Sequence, residues 1–226
     1  MAEFDGFGDK ALPFFKALAF HQNKAWFDEN RSLYESDVLL PLRALMNDVT
    51  AELRKRQINL IGDPRRGIFR LNRDVRFSND KSPYKSHAGA VLTRNGAKND
   101  PGLVYLHVDP AGCFMASGFY HPDSAQLREL RTFVRDKPER FRALMAHLKK
   151  HRLILDDTDS LTRLPRDFGD VTEADLGAAT RLKSFVVRQP FDDKLLYDRK
   201  LVAVLCDFVA IVDPLIAWGR GETLGS

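Results

Sequence analysis

The sequence predicts an α+β fold, a single domain over residues 1–226 in which a mostly antiparallel sheet packs against several helices. Three observations lead there. Apolar residues recur at helical spacing in the first quarter and again after Pro122. Four short segments rich in β-branched or aromatic residues, 67–77, 86–93, 103–109 and 112–119, fill the middle and are separated by turn residues. The Asp109-Pro110-Ala111-Gly112 link is too tight for a helical crossover, so its two strands run antiparallel. Segregated blocks of helices and strands favour α+β over a doubly wound design. With 44% hydrophobic and 29% charged residues in 226, the composition is that of a globular chain and excludes disordered, collagen-like and disulfide-scaffold classes. A chain of this length buries about 70% of its unfolded surface.

The elements follow in order. Asp9 is placed to cap a helix carrying Leu12, Phe15, Leu18 and Ala19, and Asn23 to cap a second from Lys24 with Trp26, Phe27, Leu33 and Tyr34 as anchors. Pro41 predicts a kink or a new start, because its ring removes a donor and clashes with the preceding turn. Beyond it Leu42, Leu45, Met46, Val49 and Leu53 share one face, and Arg54, Lys55 and Arg56 suit the negative end of that helix. After the strands, two helices divide near Lys137-Pro138. Residues 156–180 are turn-rich and poorly periodic. Lys183 to Val187 returns to the sheet, and Asp192 or Asp193 is expected to cap the last helix.

Cys113 and Cys206 lie far apart, outside any Cys-x-x-Cys pair, and read as small core residues. The first residues, with Glu3, Asp5 and Asp9, do not resemble a leader peptide, so a reducing cytoplasm is expected. Leu201 to Trp218 is nearly long enough to span a membrane, but Asp207, Asp213 and Pro214 favour a buried or amphipathic helix, and no membrane partner is expected.

Charge is unevenly distributed. The net charge is +4, and between Asp63 and His87 seven cations face three anions, so the basicity is local and the remainder of the chain is neutral. If 69–77 is extended, Phe69, Leu71, Val75 and Phe77 share one face with Arg73 among them, and Arg70, Asn72, Asp74 and Arg76 share the other. Guanidinium forks pair with phosphate or carboxylate, so Arg70 and Arg76 suit a dianion and Asp74 can hold one of them in place. An arginine on the apolar face must be paired, or the strand must end or bulge near Asn72. Ser78 to Pro83 is turn chemistry, and a loop there brings Ser78, Asp80 and Lys81 to the site.

Tyr84, Lys85 and His87 follow. Tyr84 and His87 are the candidate proton-transfer groups, and a strand from Ser86 puts Lys85 and His87 on one face. Ser78 and Lys81 also match a Ser-x-x-Lys spacing, but the flanking Asp80 and Pro83 favour a turn and no Lys-Thr-Gly follows. His147 and His151 share a helical face among Lys149, Lys150 and Arg152, which reads as a solvated basic face. His107, alternating with Tyr105 and Asp109, says little alone. No metal ligands are assigned and no cofactor is identified. Dinucleotide, P-loop and zinc-protease motifs are all absent.

The stretch Arg70-x-x-Arg73-Asp74-Val-Arg76-Phe77-Ser78-x-Asp80-Lys81-Ser-Pro83-Tyr84-Lys85 resembles the signature of the family called domain of unknown function 2461, which is uncharacterised and widespread in bacteria. Asn23-Lys-Ala-Trp26-Phe27, Gly118-Phe-Tyr-His-Pro122, Leu164-Pro-Arg-Asp-Phe168 and Lys183-Ser-Phe-Val-Val187 resemble its other blocks, so the likeness covers about residues 10–219 and leaves short flexible ends. The resemblance implies a single cytosolic domain and carries no catalytic residue across. The later blocks suggest that Gly118, Arg131, Arg166 and Lys183 deepen the same anion site. The leading expectation is thus a site for a phosphorylated or otherwise anionic small molecule, whether or not it is enzymatic. Two alternatives are nucleic acid bound by the same stretch, with Phe69, Phe77 or Tyr84 stacking on bases, and a structural arginine cluster without a ligand.

Overall fold

The computed structural model describes residues 3–74 and 80–222. It shows the α+β fold: a four-stranded antiparallel sheet of β1 (Ala88–Leu92), β2 (Leu103–Val108), β3 (Cys113–Phe119) and β4 (Phe185–Phe191), in that spatial order, with helices before and after it in the chain. Two compact units can be distinguished. One is Met1–Asp100 with Tyr105–Met115 and Pro190–Phe208, the other Pro101–Val104 with Ala116–Gln189 and Val209–Ser226; β2, β3, β4 and the last helix contribute to both.

In the first unit α1 (Ala11–Phe20) buries Leu12, Phe15 and Leu18 as predicted, with Ala11 and Phe14 added and Ala19 left exposed. Its expected Asp9 cap is replaced. Lys10 stands at the cap position, and its backbone N–H donates to Asp37 Oδ2 at 3.0 Å, a carboxylate from much later in the chain. Asn23 does cap α2 (Lys24–Glu29), its Oδ1 accepting from the Trp26 N–H at 2.9 Å. The chain then runs through α3 (Arg31–Tyr34), a π-helical turn at Glu35–Leu39, and α4 (Leu40–Lys55), whose first turn holds Pro41. A proline there cannot donate to the preceding turn, and the π turn just before it changes the hydrogen-bond pattern, while the backbone stays helical through Leu39 and Leu40 instead of breaking at Pro41. Leu42, Leu45, Met46, Val49 and Leu53 are all buried, and Arg54 and Lys55 occupy the last turn.

The second unit begins its helices with α5 (Ser124–Asp136), capped by Asp123, which accepts from the Gln126 N–H at 2.8 Å, and α6 (Pro138–Lys150). The stretch 156–180 departs from expectation by containing α7 (Ala174–Thr180). Its residues Ala, Gly and Thr give no apolar periodicity, yet Leu176, Gly177, Ala179 and Thr180 are buried, and Arg142 ties α6 to Asp175 and Glu173. Where β3 passes β4, Gly118 has φ +126°, and a Cβ there would collide with the Phe185 carbonyl oxygen. Only glycine supplies both that dihedral and that approach.

Neither Asp192 nor Asp193 caps α8 (Lys200–Gly219). Asp192 caps a short 3-10 turn at Asp193–Tyr197, and Asp198 accepts from the Lys200 N–H at 2.8 Å. By length and composition α8 could cross a membrane, but 56% of its apolar window is buried inside the protein, including Leu201, Leu205, Phe208, Val209 and Val212. That is the setting of a core helix. Cys113 and Cys206 are buried free thiols, as the sequence predicts.

Candidate functional site

The site lies wholly in the first unit and is built beside the buried strand β1 and on the less buried face of β2. Asp63 starts it by fixing a turn: its Oδ1 accepts from the Arg65 and Arg66 backbone N–H groups at 2.8 Å each, and its Oδ2 pairs with Arg66 Nε at 2.9 Å. These donors, the Arg66 N–H first, hold its carboxyl down to about 2. Gly67 then lets the chain pass close to β1, since a Cβ there would stand 2.9 Å from the Val91 carbonyl oxygen.

From here the described part of the expected strand, 67–74, is not a continuous strand. Ile68 bridges Ala90 and Asn72 bridges Tyr84, but a bend at Leu71 separates them, and Ile68 and Leu71 are both buried, which breaks the period of two. The backbone pairs Phe69 with Gly89, Lys85 with Leu71 and Arg73 with Pro83, so residues 69–73 fold against 83–85 beside β1. Val75, Arg76, Phe77, Ser78 and Asn79 lie outside the described residues.

This folding gathers four cations. Lys85 Nζ lies 5.1 Å and Lys98 Nζ 5.3 Å from the centroid of one ring, Phe69. Burial, followed by the charges of Arg70, Arg73 and Lys98, lowers the Lys85 pKa from its ordinary value. Among the described residues no carboxylate forms an ion pair with Arg70, Lys85 or Lys98. Arg73 does pair, with Asp80 Oδ2 at 3.0 Å, while its Nε is buried without a partner.

Beside the cations lies a second cluster. β2 alternates, with Val104, Leu106 and Val108 buried and Tyr105 and His107 on the more open face, and Asp109 follows in the same phase. His87 comes from the bend immediately before β1. Asp109 Oδ2 lies 3.5 Å from His107 Nε2 and 3.8 Å from His87 Nδ1, and the Asp109 Oδ1 accepts from the Ala111 N–H at 2.8 Å. The three ligand-type atoms fall within 4.8 Å of one another. The Tyr105 hydroxyl stands 3.0 Å from His107 Nδ1, and it fits there because Gly89 has no side chain: a Cβ would be 2.6 Å from that oxygen. The Phe114 ring stacks on His107 at 4.5 Å. Burial first, then His107, Lys85 and Arg73, outweigh Asp109 and hold the His87 pKa down to about 4, so this ring is neutral at pH 7. Burial lifts the Tyr105 phenol to about 12 and keeps it protonated.

Of the residues singled out from sequence, Arg70, Arg73, Lys85 and His87 meet here, with Asp80 attached through Arg73. Asp74 and Lys81 are exposed members of the same segment. Tyr84 is 5% exposed, with its ring stacked on Phe27 at 4.8 Å. Arg166 and Lys183 belong to the second unit: Arg166 opens the short turn Arg166–Phe168, and Lys183 pairs with Asp159 at 2.6 Å. Arg131, also there and buried, donates to the Leu182 carbonyl at 2.9 Å. Sequence reasoning missed Lys98, Tyr105, His107 and Asp109 as site residues. The readable signal was the two-residue spacing of the last three, which puts them on one strand face.

Fold and site together define an α+β protein with a cluster of cations next to a His-His-Asp cluster at the less buried face of β2. A family model described as Conserved hypothetical protein (DUF2461) matches residues 10–218, and the chain belongs to that family. No curated protein and no solved structure matches.

Proposed function

We propose that the basin formed by Arg70, Arg73, Lys85 and Lys98 binds a small molecule bearing a phosphate or comparable dianionic group. The observation that carries this reading is the pair of ammonium groups, Lys85 and Lys98, held over one Phe69 ring with no carboxylate partner. A fold that only braced itself with arginines would pair them, as Arg66 pairs with Asp63. Unneutralised like charges in a partly buried site raise the energy of the empty protein, and an anion relieves it. A small ligand is favoured over nucleic acid because Tyr84 is buried against Phe27 and Phe69 already carries two cations, so neither ring offers a base an open face.

Thermal unfolding with inorganic phosphate and a panel of phosphorylated metabolites tests the reading. An anion present at about 100 times its Kd adds about 2.7 kcal/mol, which raises Tm by roughly 5–10 °C for a chain of this length. Arg70→Ala and Lys98→Ala should each remove most of that shift, with the unliganded Tm unchanged or slightly raised because one repelling charge is gone. Equal shifts in wild type and both variants would dismiss the basin as the binding site.

A further inference from the structure

We infer that His87, His107 and Asp109 bind a divalent first-row transition ion of the zinc or ferrous class. Two donors about 2.1 Å from a common ion at a tetrahedral angle stand about 3.4 Å apart. The Asp109 Oδ2 to His107 Nε2 and His87 Nδ1 distances, 3.5 and 3.8 Å, already approach that spacing, and the three donor atoms lie within 4.8 Å of one another. Small side-chain rotations complete the set.

The surroundings supply the orientation such a site needs. Asp109 divides its carboxylate, one oxygen held by the Ala111 N–H and the other turned to both imidazoles. Tyr105 fixes His107 by its Nδ1, and with Nδ1–H donating to the phenol oxygen the Nε2 lone pair is the one directed at Asp109 and the ion. Gly89 makes room for that hydroxyl. Two imidazoles and one carboxylate select zinc, iron, cobalt or nickel over magnesium or calcium, which prefer all-oxygen sites. All three side chains retain access to solvent, with exposures of 28%, 15% and 20% for His87, His107 and Asp109.

Three protein donors leave at least one coordination position open. Lys85 and Arg73 flank His87 and oppose a bare dication, whereas a dianion seated on them offsets that repulsion and offers an oxygen to the metal. Ion and anion should therefore bind cooperatively, an extension that rests on the anion reading above; the metal site itself does not.

The test starts with chelator-stripped full-length protein titrated with Co2+ and Zn2+ in phosphate-free buffer. One ion per chain is expected, with a visible Co2+ absorption band. Asp109→Asn and His107→Gln should abolish it, Tyr105→Phe should weaken affinity by about 10- to 100-fold, and a His147→Gln, His151→Gln double variant should bind as wild type does. Because the cluster variants could unfold, X-ray absorption of the zinc-loaded wild type gives an independent readout, which should show imidazole and oxygen scattering. No saturable binding by wild type, retained affinity in folded Asp109→Asn, or a shell without imidazole would overturn the site. Phenylphosphonate binding is then compared in stripped and loaded protein. Tighter binding on loading supports the coupling, and equal affinities overturn that extension alone. Phenylphosphonate binding to stripped protein together with no metal binding would refute the ion and keep the basin.

Discussion

Lys85 is the residue at which function and stability are most directly opposed. Its ammonium is partly buried beside Arg70, Arg73 and Lys98, and its pKa is lowered for that reason. Lys85→Met keeps the aliphatic packing on Phe69 and removes the repulsion, so it should raise stability by about 0.5–1 kcal/mol in denaturant titration while anion affinity falls. The pH dependence follows the same logic. A cation whose folded pKa lies below its unfolded value binds fewer protons in the native state, so raising the pH toward the lysine range should strengthen the fold and weaken anion binding together. Asp63 behaves in the familiar acid sense. Its folded pKa is near 2 against 3.8, so the stability it contributes is complete above about pH 4 and is lost as pH falls through 2. An acid titration of Asp63→Asn should lack that part of the wild-type slope. Neither residue's role was legible from composition, because partners such as Lys98 and the Arg65 N–H become neighbours only through turns.

Among the elements, those whose signals are local were readable. Asn23 caps α2, the face of α4 from Leu42 to Leu53 is buried, and Pro41 sits in the first turn of α4, just after a π turn. Asn23→Ala should therefore cost about 1 kcal/mol, seen in chemical denaturation. Elements set by tertiary partners were not. The N-terminus of α1 is served by Asp37, 27 residues from Lys10, and the π turn that holds Asp37 gives no periodic signal. A π turn contains one residue more than its α equivalent, so deleting one residue from Glu35–Leu39 would turn Asp37 by about 100° and release that N–H. Residues 67–77 alternate like a strand, but Gly67 and the bend at Leu71 interrupt them. At Gly118 the demand is absolute: Gly118→Ala would meet the Phe185 carbonyl and should destabilise by about 3 kcal/mol or more, or prevent soluble expression.

For the whole molecule, the α+β class could be predicted because helices and strands occur in blocks, and the two thiols were correctly placed in the interior. Burial pushes the Cys206 thiol up to about 11 and raises that of Cys113, so native-state labelling by a thiol reagent should be slow and should accelerate only with unfolding. Half of the candidate site was visible as a local excess of charge. The other half, His107 and Asp109, is a pairing of β2 with β1 that spacing within either strand alone does not reveal. The basin has a kinetic consequence as well. Four cations gathered on a nearly neutral chain form one positive pole, and an approaching dianion would be drawn toward it before contact. Capture rates should therefore fall steeply once the Debye length shrinks below about 10 Å, near 0.1 M salt, while escape, governed by short contacts to Arg70, Lys85 and Lys98, changes little.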